Sequence, residues 1–151
     1  MTTVDIRPAL LDEQDTLRQL IELYAYDFSE FNRADVDAGG RYGYRHFAAI
    51  WTEPDRHALL VRFDGSLAGF AIVRSGDPHD MAEFFVMRKY RRSGVGVDAA
   101  RAVFARFPGA WQTRQQFENP GATAFWRRAI PVTFDETEDA EGPVQRFVIE
   151  V

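Results

Sequence analysis

The stretch MAEFFVMRKYRRSGVGVDAARAVFARF, residues 81–107, predicts a strand, a glycine-containing turn and a helix in immediate succession. Residues 81–87 form a nearly continuous apolar run, which favours a strand buried on both faces. After the turn, apolar residues recur at helical spacing until Pro108 and Gly109 end the pattern. A second predicted strand, AWQTRQQF at residues 110–117, completes a β-α-β unit. This unit predicts parallel pairing of two central strands with a right-handed crossover.

The flanking sequence adds antiparallel strands and further helices. Two apolar runs, at residues 57–63 and 67–74, flank Asp64-Gly65, a dipeptide typical of tight hairpin turns. Further strands are predicted at residues 2–9 (closed by Pro8), 131–136 and 144–151. Helices are predicted from Leu17 onward, near residues 43–51 and over residues 119–129. The expected fold class is α/β with mixed (α+β) pairing: a mixed sheet of about seven strands, helices on both faces, and one domain over residues 1–151.

Composition excludes several functional classes. The chain has 18 basic and 23 acidic residues, so its formal net charge is -5, and nucleic-acid or membrane-surface binding is disfavoured because both need a broad basic face. The absence of cysteine excludes disulfides, thiolate metal sites and a cysteine nucleophile. Three scattered histidines predict no metal site. With no signal-peptide pattern and no membrane-spanning run, we expect a cytoplasmic protein without a membrane partner.

Positive charge is concentrated at residues 88–92, where four of the five residues are basic, just before Gly94 and Gly96. Three interpretations are open: a nucleic-acid patch, a phosphate-binding turn or a solvated helix start. Amides at a helix N-terminus lack intrahelical partners, and glycine lets an anion approach them. The Rossmann pattern is broken because Ala99 replaces its third glycine, and the Walker pattern because no Lys-Ser/Thr follows. One short run is too small for a nucleic-acid surface.

The segment VMRKYRRSGVG, residues 86–96, resembles the acyl-CoA binding motif of the GNAT acetyltransferases, Arg/Gln-x-x-Gly-x-Gly/Ala. Arg91, Gly94 and Gly96 fill that motif, and Val86 stands at its preceding strand position. The residues that flank the motif also resemble those of a sub-branch of that superfamily described as predicted acetyltransferases. The resemblance is specific over residues 81–130.

A second segment, ENPGATAFWRRAI, resembles a later motif of the same family, Asn-x-x-Ala-x-x-Phe-aromatic. Asn119, Ala122, Phe125 and Trp126 fill it. Two motifs in the right order, on suitable predicted elements, are a stronger indication than either motif alone.

The resemblance implies acetyl-CoA as co-substrate, bound where the two central strands splay apart. It implies that Arg91 and backbone amides hold the pyrophosphate, the amides being those of Arg92, Ser93, Gly94, Val95, Gly96 and Val97. Backbone groups of Phe85 and Val86 would bind the pantetheine arm and polarise the thioester carbonyl. Asn119, Phe125 and Trp126 complete the implied cofactor-binding set. Two alternatives remain open: Asn119 followed by proline is also a typical helix start, and Phe125 suits a core position.

Two carboxylates are candidates for catalysis, Glu83 and Asp80, on or just before the central strand. Glu83 lies among apolar residues, where desolvation would raise its pKa toward a value useful for a base. The alternative is a surface-facing residue or a structural ion pair. Trp126 stands where many relatives carry a tyrosine as the presumed acid, so the acid is not assigned and five tyrosines remain candidates.

These observations predict an acetyl-CoA-dependent N-acetyltransferase that acts on a primary amine of a small molecule or peptide by direct attack on the thioester. The expected partners are acetyl-CoA and an amine acceptor, and a homodimer is left open. An acyl-CoA-binding sensor without turnover is the alternative that the missing tyrosine suggests. The acidic segment at residues 135–141 predicts a solvated hairpin, or a rim that attracts a cationic amine.

Overall fold

The computed structural model describes residues 3–151, so Thr2, the first residue of the predicted N-terminal strand, lies outside the described residues. The strands of this part of the chain are β1 (Val4–Pro8), β2 (Arg56–Phe63), β3 (Ser66–Arg74), β4 (His79–Val86), β5 (Gly109–Arg114), β6 (Asp135–Glu138) and β7 (Pro143–Ile149). The helices are α1 (Gln14–Asn32), α2 (Phe47–Thr52), α3 (Val95–Arg106) and α4 (Pro120–Ala129), with short 3-10 turns at Leu11–Glu13 and Arg88–Tyr90.

The strands form one mixed sheet in the order β1-β2-β3-β4-β5-β7-β6. β4 and β5 pair in parallel, as the β-α-β pattern predicts, whereas the other neighbouring strands are antiparallel. The parallel pair is short, because only His79 opposite Trp111 and Asp80 opposite Gln112 are in register. Past these residues β4 continues to Val86 without β5 beside it. The sheet is therefore open at its centre, which confirms the predicted splay.

Helices cover both faces of the sheet, which confirms the predicted layers. On one face α1 and α2 pack against alternate residues of β2 and β3, including Leu60 and Phe70. On the other face α3 and α4 pack around Phe104, Trp111 and Phe147. Burying one aliphatic or aromatic side chain fully contributes about 1.5–3 kcal/mol to the free energy of folding. These two apolar layers therefore stabilise the sheet on both of its faces.

The β2–β3 hairpin confirms the turn predicted from Asp64-Gly65. Both residues have positive φ, 49° at Asp64 and 86° at Gly65, as a type I′ turn requires. β4 differs from its prediction, since most of it is only half-buried. The six residues from His79 to Phe84 are half-buried, and only Phe85 and Val86 at the end of the strand are buried.

Two strands near the C-terminus differ from their predicted bounds. β5 ends at Arg114 instead of residue 117, and the strand predicted at residues 131–136 lies instead at Asp135–Glu138. β6 is an edge strand whose four residues are all exposed, so no apolar pattern marked it. Within residues 3–151, no helix is long and apolar enough to cross a membrane.

Candidate active site

A cleft of about 1030 Å³ opens where β4 and β5 separate, and we call it the interstrand cleft. Its walls come from β4, the turn before α3, the start of α4 and the C-terminal half of α1. Most of the predicted cofactor-binding residues line it: Phe85, Val86, Arg91, Arg92, Gly94, Gly96, Val97, Asn119, Phe125 and Trp126. Ser93 and Val95 do not, because the Ser93 hydroxyl donates to the Tyr90 carbonyl and Val95 is buried in the core.

The turn before α3 presents backbone amides to this cleft. Arg92 and Gly94 have φ values of 63° and 85°, and Gly94 is the N-cap of α3. No side chain caps this helix start. A Cβ on Gly94 would meet nothing within 4 Å, so glycine is needed for the left-handed backbone and not for space. The arrangement leaves polarised N–H groups available to an anion.

Gly96 is needed for a different reason. A Cβ there would lie 3.0 Å from Cε1 of Phe125, so glycine lets α3 pack closely against α4. Phe125 in turn stacks on Phe84 with ring centroids 5.7 Å apart, and Trp126 is 7% exposed. Phe125 and Trp126 thus belong to the apolar layer as well as to the wall of the interstrand cleft.

Arg91 is tied to two elements. Its Nε donates to the Val86 carbonyl at 2.9 Å and its Nη2 to Oδ2 of Asp27 at 2.7 Å. Arg88 also pairs with Asp27, through Oδ1 at 2.8 Å. Burial opposes ionisation of Asp27, but the two guanidinium hydrogen bonds outweigh it and lower the pKa of that carboxyl. Sequence reasoning missed Asp27, which lies 64 residues before Arg91 in the chain and falls in no recognisable motif.

Asn119 caps α4 and also lines the interstrand cleft. Its Oδ1 accepts a hydrogen bond from the Ala122 amide at 3.1 Å, so the side chain caps α4 with Pro120 in the first turn. The same residue lines the interstrand cleft. Its side-chain NH₂ makes no hydrogen bond within residues 3–151, and it is free to face a ligand.

Glu83 lies on β4 and faces α1. The Tyr24 hydroxyl donates to its Oε1 across 3.4 Å. Burial raises the pKa of Glu83 to about 7, although the Tyr24 hydrogen bond and the charge of Arg56 act in the opposite direction. Burial, reinforced by the charge of Glu83, also raises the pKa of Tyr24 well above 10. Glu83 therefore titrates near neutral pH, whereas Tyr24 stays protonated.

A second cavity, of about 810 Å³, adjoins the first on the side of α2, and we call it the arginine pocket. It is lined by Tyr42, Gly43, Tyr44, Arg45, His46, Arg56, Arg74, Asp80, Ala82 and Glu83. Ala82 and Glu83 line both cavities. Glu83 thus stands where the two spaces meet.

Asp80 faces the arginine pocket and is not part of the interstrand cleft. A β-bulge brings it onto the same sheet face as Glu83: Asp80 is opposite Arg74 and Glu83 is opposite Ile72, so β4 has one extra residue between them. In a regular strand, residues three apart point to opposite faces. Oδ1 of Asp80 accepts a hydrogen bond from Gln112 Nε2 at 3.1 Å.

His79 and the acidic segment at residues 135–141 are engaged with other parts of the chain. The His79 ring is engaged on both nitrogens, by the Gly76 amide and the Pro108 carbonyl. Asp139 and Glu141 of the acidic segment line the interstrand cleft, and Asp139 pairs with Arg114. In the described part of the chain, no group of three or more histidines and carboxylates is placed to hold a metal ion.

Comparisons with solved structures show the same architecture in acetyltransferases. An acetyltransferase from Thermus thermophilus superposes with a TM-score of 0.71 at 16% identity, covering 99% of this chain and 97% of that one. PaiA N-acetyltransferase from Thermoplasma acidophilum, in complex with coenzyme A, gives 0.66 at 12% identity over 97% and 99%. The ribosomal-protein-S18-alanine N-acetyltransferase of Escherichia coli gives 0.64 at 15% identity over 99% and 96%.

The overall fold is the one that these acetyltransferases share. A sequence model described as the acetyltransferase (GNAT) family matches residues 17–130, so the chain belongs to that family. No curated protein matches the sequence significantly. The family accounts for acetyl transfer in general, and the acceptor has to be argued from the site.

Proposed function

We propose that this protein is an acetyl-CoA-dependent N-acetyltransferase that acetylates a primary amine by direct attack on the thioester. The observation that carries the proposal is the position of Glu83, a carboxylate with a pKa of about 7 that lines both cavities. A base at that junction can take a proton from an amine entering from one side while the acetyl group is held on the other.

The interstrand cleft suits acetyl-CoA, which supplies the activated acetyl group. The uncapped amides of Arg92 to Val97 at the start of α3, Ser93 and Val95 included, are proposed to hold the pyrophosphate, with Arg91 beside them. Backbone groups of Phe85 and Val86 are proposed to bind the pantetheine arm. The opposite wall is formed by Phe125, Trp126 and the side-chain NH₂ of Asn119.

Glu83 is proposed as the general base and Asp80 as a second carboxylate that holds the incoming amine in the arginine pocket. A protonated amine cannot attack, so the acceptor first loses one proton to solvent, and ionised Glu83 accepts a second proton from the nitrogen as it attacks. The neutral nitrogen then bonds to the carbonyl carbon as the carbon–sulfur bond breaks, and thiolate leaves with the electron pair of that bond. Trp126 has no proton to give, so we expect the thiolate to leave as the anion or to be protonated by solvent.

An acceptor screen that follows thiol release tests the proposal. Purified protein with acetyl-CoA and a panel of amines is expected to release free CoA thiol, and Glu83→Gln is expected to lower kcat about 100-fold or more. The Gln variant keeps an oxygen for Tyr24 and should bind acetyl-CoA as the wild type does. Tyr24→Phe, which removes the hydroxyl but leaves the carboxylate, serves as the matched control and should retain most of the activity.

The alternative is an acyl-CoA-binding sensor, prompted by Trp126. Both functions require acetyl-CoA to stabilise the fold, by about 2.7 kcal/mol at 100 times its Kd, and thiol release separates the two. Stabilisation without thiol release from any amine would favour the sensor. An unchanged Tm at saturating acetyl-CoA would overturn both functions.

We further propose that the protein works in the cytoplasm. A homodimer stays a prediction, which a measurement of molecular mass in solution would test.

A further inference from the structure

The arginine pocket has a charge pattern that the transfer of an acetyl group to a simple amine would not need. Arg45 precedes α2, Arg56 begins β2 and Arg74 ends β3, and all three line the pocket. Guanidinium groups attract an anion and oppose a cation, although Arg56 and Arg74 each also pair with a carboxylate, Glu53 and Asp55 respectively. The presence of these guanidinium groups beside the proposed amine site therefore calls for an anionic group on the acceptor.

Strand register places two of these arginines and a carboxylate in one row. Arg56 is opposite Arg74 in the β2–β3 pair, and Arg74 is opposite Asp80 in the β3–β4 pair. Side chains opposite each other in antiparallel strands share a face of the sheet. Arg56, Arg74 and Asp80 share the sheet face of Ala58 and Ile72, and α1 and α2 pack on another part of that face. The pocket thus has cationic and acidic groups side by side.

Arg56 is the most unusual member. Its side chain is only 10% exposed, and Nε donates to Oε2 of Glu53 at 3.3 Å. Its two terminal nitrogens make no hydrogen bond to any of residues 3–151, although the residue lines the pocket. These nitrogens are not among the buried unpaired polar atoms of residues 3–151, so they are open to the pocket and available to a ligand. A guanidinium fork matches the two oxygens of a carboxylate, so a bound carboxylate would satisfy these donors.

Of the three arginines, Arg56 and Arg45 have terminal nitrogens that are free to bind a carboxylate. Arg74 already pairs with Asp55 at 3.2 Å. Arg45 donates through Nε to Nε2 of His46 at 3.1 Å, and its terminal nitrogens have no partner in the described chain. Burial and the adjacent arginines lower the pKa of His46, so the ring stays neutral and accepts this bond. Asp80 and Glu83 remain as the acidic side of the pocket.

We propose that the acceptor is a primary amine that also carries a carboxylate, of the amino-acid class, with its carboxylate bound by Arg56 and Arg45 and its amine presented to Glu83. The inference rests on the proposed function and names the acceptor class of the same site. It assigns Arg56 to substrate specificity, a role that neither sequence motif includes.

Matched pairs of acceptors test this inference. Each L-amino acid is compared with its own carboxamide, which has the same amine and side chain but no negative charge. We expect kcat/KM to be at least 50-fold higher for the acids that are used, mainly through a lower KM. The comparison is stringent, because an amine beside a carboxamide has a pKa near 8 and is more often neutral at assay pH.

The variant Arg56→Gln should lower the ratio of kcat/KM for acids to kcat/KM for their carboxamides at least tenfold, and this ratio cancels any change in the pKa of Glu83 because both acceptors share it. Arg62→Gln is the matched control, since Arg62 lies on the same strand, pairs with one glutamate and is outside the pocket. It should keep the full preference. Equal use of acids and carboxamides, or an unchanged preference in Arg56→Gln, would overturn the inference while the proposed function stood.

Binding provides a readout that does not depend on turnover. Calorimetric titration of the CoA-saturated protein with the same pairs should detect the acids, and Arg56→Gln should weaken their binding at least tenfold. If no acid binds, the inference is wrong even where other amines release thiol. Phosphoethanolamine and β-alanine form a further pair. Stronger binding of the phosphate compound would overturn the assignment to carboxylates.

Discussion

Tyr24 donates its hydroxyl to Oε1 of Glu83 across 3.4 Å, and this contact joins α1 to β4 where the interstrand cleft meets the arginine pocket. The bond favours ionised Glu83, whereas burial favours the protonated form, and burial is the larger effect. The result is a carboxyl with a pKa of about 7. Such a group is half ionised at neutral pH, which suits a base that must be reset in every cycle.

The first prediction concerns the pH dependence of activity. Because Glu83 must be ionised to accept a proton, kcat/KM should rise with pH through about 7 and then level off. An alkoxyamine acceptor, which is already neutral at about pH 5, removes the contribution of amine ionisation. Steady-state thiol release between pH 5 and 9 measures the profile. A flat profile for the wild type, or the same rise in Glu83→Gln, would show that another group is titrating.

The second prediction concerns stability. The pKa of Glu83 is about 7 in the folded state against 4.5 for the free group, so the native state binds more protons between these values. The free energy of unfolding should therefore decrease as pH rises from about 5 to 7, by about 3 kcal/mol at most. Glu83→Gln should lose this slope and be the more stable protein at pH 8. Urea unfolding at several pH values provides the measurement, and a parallel slope in both proteins would contradict it.

The third prediction separates two arginines that share Asp27. Arg91 also holds the Val86 carbonyl, whereas Arg88 is 72% exposed and makes only the ion pair. Arg91→Gln should raise the Kd for acetyl-CoA tenfold or more, which is about 1.4 kcal/mol. Arg88→Gln should change it less than about threefold, as for an exposed ion pair. Equal losses in the two variants would mean that only their charge matters.

The fourth prediction separates the two roles of Asn119. Asn119→Ala removes the cap of α4 and should cost about 1 kcal/mol of stability. Asn119→Asp keeps an oxygen for the Ala122 amide but replaces the NH₂ group with negative charge. This variant should retain the wild-type Tm and bind acetyl-CoA more weakly. If it binds acetyl-CoA as tightly as the wild type, Asn119 acts only as a cap.

The fifth prediction concerns Gly94. Its φ of 85° lies in the left-handed region, and the surrounding space is open. Gly94→Ala should therefore cost about 1–2 kcal/mol through backbone strain alone, and Gly94→Asn should cost less because asparagine tolerates this region. Thermal unfolding compares the two. A larger loss in the asparagine variant would indicate that side-chain bulk, and not φ, is limiting at this turn.

The sequence by itself determined the elements and their order, because these depend on local patterns. Apolar periodicity indicated the central strand, the helix after Gly94 and the later strand, and the β-α-β connection then required parallel pairing. Asp64-Gly65 marked the hairpin, since few residues adopt positive φ. The two motifs, one through Gly94 and the other through Asn119, indicated a family that the comparisons confirmed.

Only the tertiary structure decided which side chains meet. Asp27 reaches Arg91 from 64 residues away, and Arg56, Arg74 and Asp80 form a row only through strand register. Sequence spacing would have put Asp80 and Glu83 on opposite faces of β4, and the bulge between them brings both to the arginine pocket. A shift of one residue reverses every side chain of a strand, and such a shift is set by packing across the sheet, which no local pattern records.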